Sequence, residues 1–582
     1  SDPIGSSYTY YGLSDAINSG QVKTLTAPGG QQLNFEYDGT LVTQIQSSGL
    51  VSGTLGYQYN AYFEPAQQSI NGSSLSFSYN RDGQLTQTGV LSLSYVADNG
   101  RLNSTQLQQA ATSHGYTAFG ELQTYNAQVN STNLYSYTLQ RDDAGQITGK
   151  TETLGSATTQ YAYDYDERNR LIGVQENGTP VQTWAYDANG NRTHEDGAPV
   201  ATYDAQDRLI GYKDNEYRYT ANGELTEKTD TATNEATYYD YDAFSNLRGV
   251  TLLDGTNIEY VIDGQNRRVG KLRNGKLEQG FLYQGQLNPV AELDGNNQIK
   301  ARFVYADKGH VPSYMIKDGV NYRVISDHLG SVRLVVNAQS GEVAQRLDYD
   351  AWGNVTNDTN PGFQPFGYAG GIYDRDTNLV RFGARDYDPK IGRWTTKDPI
   401  GFGGGLNHYA YVNGDPFNYV DVTGNVACAG FCIGAAAIVG GKALISAGAS
   451  YIAAKATGED NETAAKQAIA GGLIGGITAP GASFALRHGA NSIVTTAAHS
   501  SLSNAGAQYY LKRDVDVNQM LIAGAAGIPA ASVTRNARLL GASELEAHAW
   551  GTFGGTSLDY LANGVIDRWN DPVTGGMMCH AP

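Results

Sequence analysis

The sequence predicts a mainly β protein, a long series of short hairpins stacked into a curved sheet, and three observations carry that prediction. Forty tyrosines and 71 glycines occur in 582 residues. Aromatic rings suit a pleated surface, and glycine suits the turns between strands. A Tyr-Asp unit recurs along most of the chain, followed by turn residues and then Arg-Leu or a close variant. After Gly424 the units stop and alanine and glycine take over, so a different, helical segment is expected to begin there.

The clearest units start at Tyr165-Asp166, Tyr186-Asp187, Tyr203-Asp204, Tyr219-Thr220 and Tyr241-Asp242, with weaker copies at Tyr37, Tyr79 and Tyr95. Steps of 21, 17, 16 and 22 residues separate the five clear tyrosines, room for two strands per unit. Each reads as an alternating strand ending in Tyr-Asp, a tight turn, and a return strand opened by Arg-Leu. Asn-Gly and Asp-Gly in several units suit a two-residue turn, which needs positive φ. One hairpin cannot bury its own face, so neighbours must stack. Curling and closing then protects the edges of such a sheet.

Lys plus Arg number 40 and Asp plus Glu 58, a net charge of −18. Residues 426–582 hold nine basic and ten acidic side chains, so the acidity belongs to the repeats. An acidic surface favours solubility and disfavours non-specific nucleic-acid binding, and no nucleic-acid partner is expected for this region. The three cysteines, Cys428, Cys432 and Cys579, all follow the repeats, which excludes a disulfide framework there. Cys428 and Cys432 are spaced as helix neighbours and read as small buried thiols. Neither a metal nor a cofactor is expected. The start, Ser1-Asp2-Pro3-Ile4-Gly5, carries no signal-peptide pattern, so export is expected by another route or after removal of a leader.

The Tyr-Asp-x-x-x-Arg-Leu unit resembles the YD repeat of the RHS family, found also in insecticidal toxin complexes and teneurins. The resemblance covers roughly residues 30–424 and is most specific near its end. Asp327-His328-Leu329-Gly330-Ser331-Val332-Arg333, Tyr349-Asp350-Ala351-Trp352-Gly353 and Arg381-Phe382-Gly383-Ala384-Arg385-Asp386-Tyr387-Asp388-Pro389 occur in the family's order. Gly392-Arg393-Trp394, Asp398-Pro399-Ile400-Gly401 and Tyr409-Ala410-Tyr411-Val412 follow. The resemblance implies a lead-in over residues 1–30, a hollow β-shell over 31–320, a core plug over 321–425 and a toxin-like cargo over 426–582. It also implies a secreted or cell-surface protein. The implied partners are the chain's own C-terminal segment, a secretion apparatus or carrier, an immunity protein and a target membrane. An adhesion or interaction protein built on the same shell is the alternative.

The family resemblance further implies that Asp398 and Asp421 form a self-cleaving aspartyl protease cutting between Asn425 and Val426. Two carboxylates held together cannot both ionise, so one acts as acid while the other activates water. Arg393 is placed to steady the charge. The second box, Asp421-Val422-Thr423-Gly424-Asn425, has Val where the family pattern has Pro and Asn where it has Leu. On residue type alone both aspartates also read as turn caps. His328 beside Asp327 reads as a turn contact.

In the tail, Gln467–Leu486 carries no charge over 20 residues, the length of a bilayer span. Val517–Thr534 and Ile433–Ala454 are further apolar stretches, the latter broken by Lys442. Gly430-x-x-x-Gly434 and Gly471-x-x-x-Gly475 permit close helix approach. Three readings follow: a pore-forming toxin, a helical segment that fills the shell, and an enzymatic toxin. His488, His499 and His548 are scattered and form no paired motif for the last.

Overall fold

A computed structural model of the chain describes residues 6–12 and 20–429. The tail readings, the apolar stretches and the expected helices among them, lie outside the described residues. Within each of its two large sheets the protein is a β-meander in which each strand pairs antiparallel with the next in sequence. Nineteen strands from Ser7–Tyr10 to Ala198–Pro199 form one sheet, and sixteen from Ala201–Tyr203 to Val355–Asp358 form a second. Val200 links them: its N–H donates to Thr193 O at 2.9 Å, and its carbonyl accepts from Lys213 N at 2.8 Å.

The sheet starts earlier than residue 31, because Ser7–Tyr10 pairs with Val22–Thr26 and that strand with Gln32–Asp38. The second sheet runs past residue 320, where Val320–Ser326 pairs with Tyr314–Lys317 and Val332–Asn337. Strand pairing continues across both positions, where the family resemblance implied boundaries.

The repeat has a definite geometry. Tyr165 ends one strand opposite Leu171, which opens the next. Asp166 heads a five-residue loop closed by its own N–H on Arg170 O at 3.0 Å. Its Oδ1 accepts the N–H groups of Arg168 and Arg170, both at 2.9 Å. The fourth loop residue, Asn169, has φ 59°. The loops headed by Asp187, Asp204 and Asp242 repeat this, with positive φ at Gly190, Asp207 and Ser245. This corrects the expected two-residue turn. A side-chain carboxylate closes the loop, so only one position needs positive φ, and Gly, Asn, Asp or Ser serves there.

Tyrosine ties each hairpin to the one before. Tyr165 Oη donates to Ile147 O at 2.7 Å, Tyr186 Oη to Leu171 O at 2.6 Å and Tyr203 Oη to Arg192 O at 2.7 Å. Each acceptor opens the preceding return strand, so the three tyrosines are equivalent. The same bond recurs from Tyr79, Tyr95, Tyr116, Tyr283 and Tyr305.

The two sheets are consecutive windings of a spiral, not closed barrels. Arg302 Nη1 donates to Ser73 Oγ at 2.7 Å across 229 residues, and Tyr314 Oη to Thr88 O at 3.3 Å across 226. Gln109 N donates to Ala338 O at 2.9 Å. Val51 sits against Gly270, where a Cβ would lie 2.9 Å from its methyl. Early strands such as Leu91–Tyr95 alternate buried and exposed. Arg268–Arg273 and Pro289–Leu293 are buried along most or all of their length, because the first winding covers one face and the closing segment the other.

That segment carries a four-stranded sheet, Ile372–Asp374, Leu379–Phe382, Arg385–Asp388 and Arg393–Trp394. Its core is an aromatic cluster of Tyr368, Phe382, Tyr387, Trp394 and Tyr411, with Tyr387 and Tyr411 ring centres 4.2 Å apart. Around it, successive repeats each contribute a contact. Asn418 Oδ1 accepts from Ile147 N at 2.7 Å, Arg381 donates to Asn246 at 3.0 Å, and Tyr409 Oη donates to Gly223 O at 2.8 Å. Buried ion pairs Arg268–Asp386 at 2.9 Å and Lys271–Asp374 at 2.7 Å complete the ring. Removing one partner of such a pair leaves an uncompensated buried charge.

Candidate functional site

Two glycines bring the second aspartate box against the closing sheet. Gly383 has φ 41° and Gly424 φ 68°, a region that disfavours side chains. A Cβ on Gly383 would strike Thr423 O, and one on Gly424 would strike Phe382 O. This close approach lets Ala384 N donate to Thr423 O at 2.8 Å. It also sets Asp421 beside Arg385, the first residue of the strand that follows.

Arg385 is the centre of the site. Its Nη2 lies 2.7 Å from Asp398 Oδ2 and 3.2 Å from Asp421 Oδ2. Nε donates to Gly424 O at 2.5 Å and Nη1 to His408 O at 3.2 Å, while the guanidinium stacks 4.1 Å over Trp394. All three charged residues are buried. The other oxygen of each carboxylate caps its own turn. Asp398 Oδ1 accepts from Ile400 N at 3.0 Å. Asp421 Oδ1 accepts from Thr423 Oγ1 at 3.0 Å, Asn425 N at 3.0 Å and Val426 N at 3.1 Å. Each carboxylate thus caps its own turn with one oxygen and meets Arg385 with the other.

One cation faces two carboxylates. Burial pushes the Asp398 carboxyl above its ordinary value; Arg385 and the Ile400 N–H pull against it, and Asp421 adds to the rise. A raised carboxyl keeps its proton to higher pH than an exposed one does. Asp421 meets the Asn425–Val426 peptide directly through the Val426 N–H. On the other side, a Cβ built on Gly404 would collide with Asp398 Oδ2 and stand 3.0 Å from the Asn425 carbonyl oxygen. Glycine at 404 thus leaves both oxygens facing one small space. Val422 packs on the aromatic cluster, which gives an apolar residue a role where proline was expected.

Asp398, Asp421, Asn425 and Val426 come together; Arg393 does not join them. Arg393 Nη1 donates to Asn191 Oδ1 at 2.7 Å and Nη2 to Asp207 O at 2.5 Å, and its guanidinium lies 4.8 Å from the Tyr203 ring centre. Successive strand residues point to opposite faces. Trp394 takes the face toward Arg385, and Arg393 turns to the repeats. The residues missed by sequence reasoning are Arg385, Gly404 and Thr423. Arg385 lies inside the Arg381–Pro389 motif, yet nothing in residue type separates it from Arg381, which pairs with Asp386 at 2.9 Å.

His328 is a turn contact, its Nε2 2.9 Å from Phe417 O, while Asp327 Oδ1 caps Leu329, Gly330 and Ser331. Cys428 lies on a short strand, Cys428–Ala429, paired with Tyr419–Val420, which corrects the helical placement. Cys432 is outside the described residues. Among the described residues no helix is long and apolar enough to cross a membrane.

A family model described as the teneurin YD-shell matches residues 6–407, which includes Asp398 and stops short of Asp421. Teneurin-4 of Mus musculus is 28% identical over 375 residues, 61% of this chain and 13% of that protein. The tRNA3(Ser)-specific nuclease WapA of Bacillus spizizenii is 30% identical over 278 residues, 45% of this chain and 12% of that protein. The chain thus spans a small fraction of these relatives' length. The crystal structure of TcdB2-TccC3-TEV superposes with TM-score 0.54 at 17% identity, covering 72% of this chain and 25% of that one, a likeness of fold. Repeat geometry, winding and match agree: the chain belongs to the teneurin YD-shell family and is a YD-repeat shell of RHS type.

Proposed function

We propose that this shell encloses its own C-terminal segment and severs it between Asn425 and Val426, using Asp398 and Asp421 as the acid–base pair and Arg385 to hold them. The observation that carries this reading is the Val426 N–H on Asp421 Oδ1 at 3.1 Å, beside the Arg385 bridge to Asp398. The released segment, residues 426–582, acts as a toxin-like cargo on a target cell, by pore formation or by an enzymatic activity. Secretion with a carrier or export apparatus, and an immunity protein in the producing cell, complete the proposal. A relative named as a tRNA-specific nuclease has a similar shell in a small part of its length, which supports a shell joined to a toxic activity. The larger share of the chain matched in teneurin-4 favours, as a second reading, an adhesion or interaction shell without a toxin.

Two experiments test this. The purified chain should separate into two polypeptides, and Asp398→Asn and Asp421→Asn should each leave it whole. A parent chain that stays whole, or variants cut at the parent's rate, would refute the cleavage. Expressed alone in bacterial cytoplasm, residues 426–582 should arrest growth, with membrane potential separating pore formation from enzymatic damage. Unimpaired growth with potential intact would favour the interaction-shell reading.

A further inference from the structure

Asparagine stands on the acyl side of the bond in question, and its side chain is not seated in an apolar pocket. Nδ2 turns back over the turn and donates to Thr423 O at 3.1 Å. The backbone on both sides of its carbonyl is pinned to one atom: Asn425 N and Val426 N both donate to Asp421 Oδ1. Arg385 Nε fixes the preceding carbonyl, that of Gly424. Between the carboxylates, where an attacking water would be held, Nη2 of Arg385 occupies the shared position at 2.7 and 3.2 Å. The site therefore immobilises residue 425 closely, and a guanidinium nitrogen takes the position that the two acids share.

We infer that the nucleophile is the side-chain amide of Asn425 itself, so that the shell ends in a cyclic imide and no water is consumed in the cut. This rests on the cleavage proposed above and names its reacting atom. Nδ2 attacks the carbonyl carbon of its own residue, forming a five-membered ring, and the bond from that carbon to Val426 N breaks. One Nδ2 proton passes by way of the Asp421 carboxylate to Val426 N, which leaves as a free amine. Asp398, which faces the oxygen of Asn425 across the space left by Gly404, in its protonated form donates to that oxygen as negative charge develops there. Holding nucleophile and carbonyl in one residue replaces the encounter with water by an intramolecular step. Thr423 is a positioning residue: its carbonyl orients Nδ2, and its hydroxyl donates to Asp421 Oδ1 at 3.0 Å.

Intact-mass measurement on the freshly cut full-length protein, held at mildly acidic pH to preserve an imide, tests this. The two fragment masses should sum to that of the uncut chain, and hydroxylamine should add to the shell fragment at its C-terminus. Asn425→Leu should remain whole, and Asn425→Gln, which must close a larger ring, should be cut far more slowly. Fresh fragments that together exceed the parent by one water, or Asn425→Leu cut at the parent's rate, would overturn the cyclisation while leaving the cleavage standing. A parent chain that yields no fragments would overturn both.

Discussion

Asp398 and Asp421 are joined through a single atom, Nη2 of Arg385, at 2.7 and 3.2 Å. Each spends its remaining oxygen on its own turn, so the contact that shapes the backbone and the contact that couples the acids are made by different atoms of one side chain. A change at Arg385 can therefore disturb the coupling while both caps persist.

Replacing Arg385 by Gln is expected to abolish cleavage and to destabilise the closing segment. Two buried carboxylates would lose their shared cation, and breaking a buried pair costs about 3–5 kcal/mol. Denaturant unfolding of the closing segment, followed by tryptophan fluorescence from Trp394 beside Arg385, measures the second effect. A variant that is cut normally and unfolds at the parent's midpoint would contradict the role given to Arg385.

The pH profile of cleavage follows from Asp398. Its carboxyl is raised in the folded protein, mainly by burial, so the folded state binds the proton more tightly than the unfolded chain does. The protonated acid is lost as pH rises through that raised value, and cleavage should fall on the alkaline side. Stability should fall in the same direction from the ordinary value of 3.8 upward. Single-turnover cleavage rates across pH would show this limb; a rate that climbs steadily with pH would assign the acid elsewhere.

Glu152 titrates in the opposite sense. Burial opposes its charged form, but Lys150 at 3.0 Å and Arg333 at 3.2 Å outweigh that and hold it down at about 2, against an ordinary 4.5. Its contribution, on the order of 3 kcal/mol, is present above pH 4.5 and lost as pH falls toward about 2. Glu152→Gln should be less stable near neutrality and lose less between those limits. Thermal midpoints of parent and variant across that range check it.

The tyrosine tie between hairpins is testable one bond at a time. Tyr186→Phe removes the 2.6 Å bond to Leu171 O and should cost about 1 kcal/mol. Tyr283→Phe, which breaks the equivalent bond to Arg268 O, should add its own similar cost, since the sites share no partner. Denaturation midpoints of the single and double variants measure both. A double variant as stable as the parent would leave these hydroxyls without a structural role.

The repeat was legible because its signals are local. Tyr165, Tyr186 and Tyr203 recur with their aspartates, and the stacked antiparallel meander follows from that spacing. Turn length was not legible, since Asp166 closes its loop through side-chain bonds that a Gly-based rule does not count. At the candidate site, Asp398 and Asp421 were singled out because their boxes are motifs, and the fold brings both to Arg385. Arg385 was missed in favour of Arg393, because the choice depends on strand parity: Trp394, not Arg393, faces Arg385. Gly404 escaped notice for a related reason. Its importance lies in what a Cβ would strike, Asp398 Oδ2, and that contact exists only after folding.

The most direct measurement is N-terminal sequencing of the smaller polypeptide obtained from the purified chain. The account predicts Val-Ala-Cys-Ala, residues 426–429, as its first cycles, and predicts that the fragment is absent from Asp421→Asn. A fragment beginning at any other residue, or one that persists in Asp421→Asn, would contradict the assignment of Asp398, Asp421 and Arg385 as a self-cleavage site.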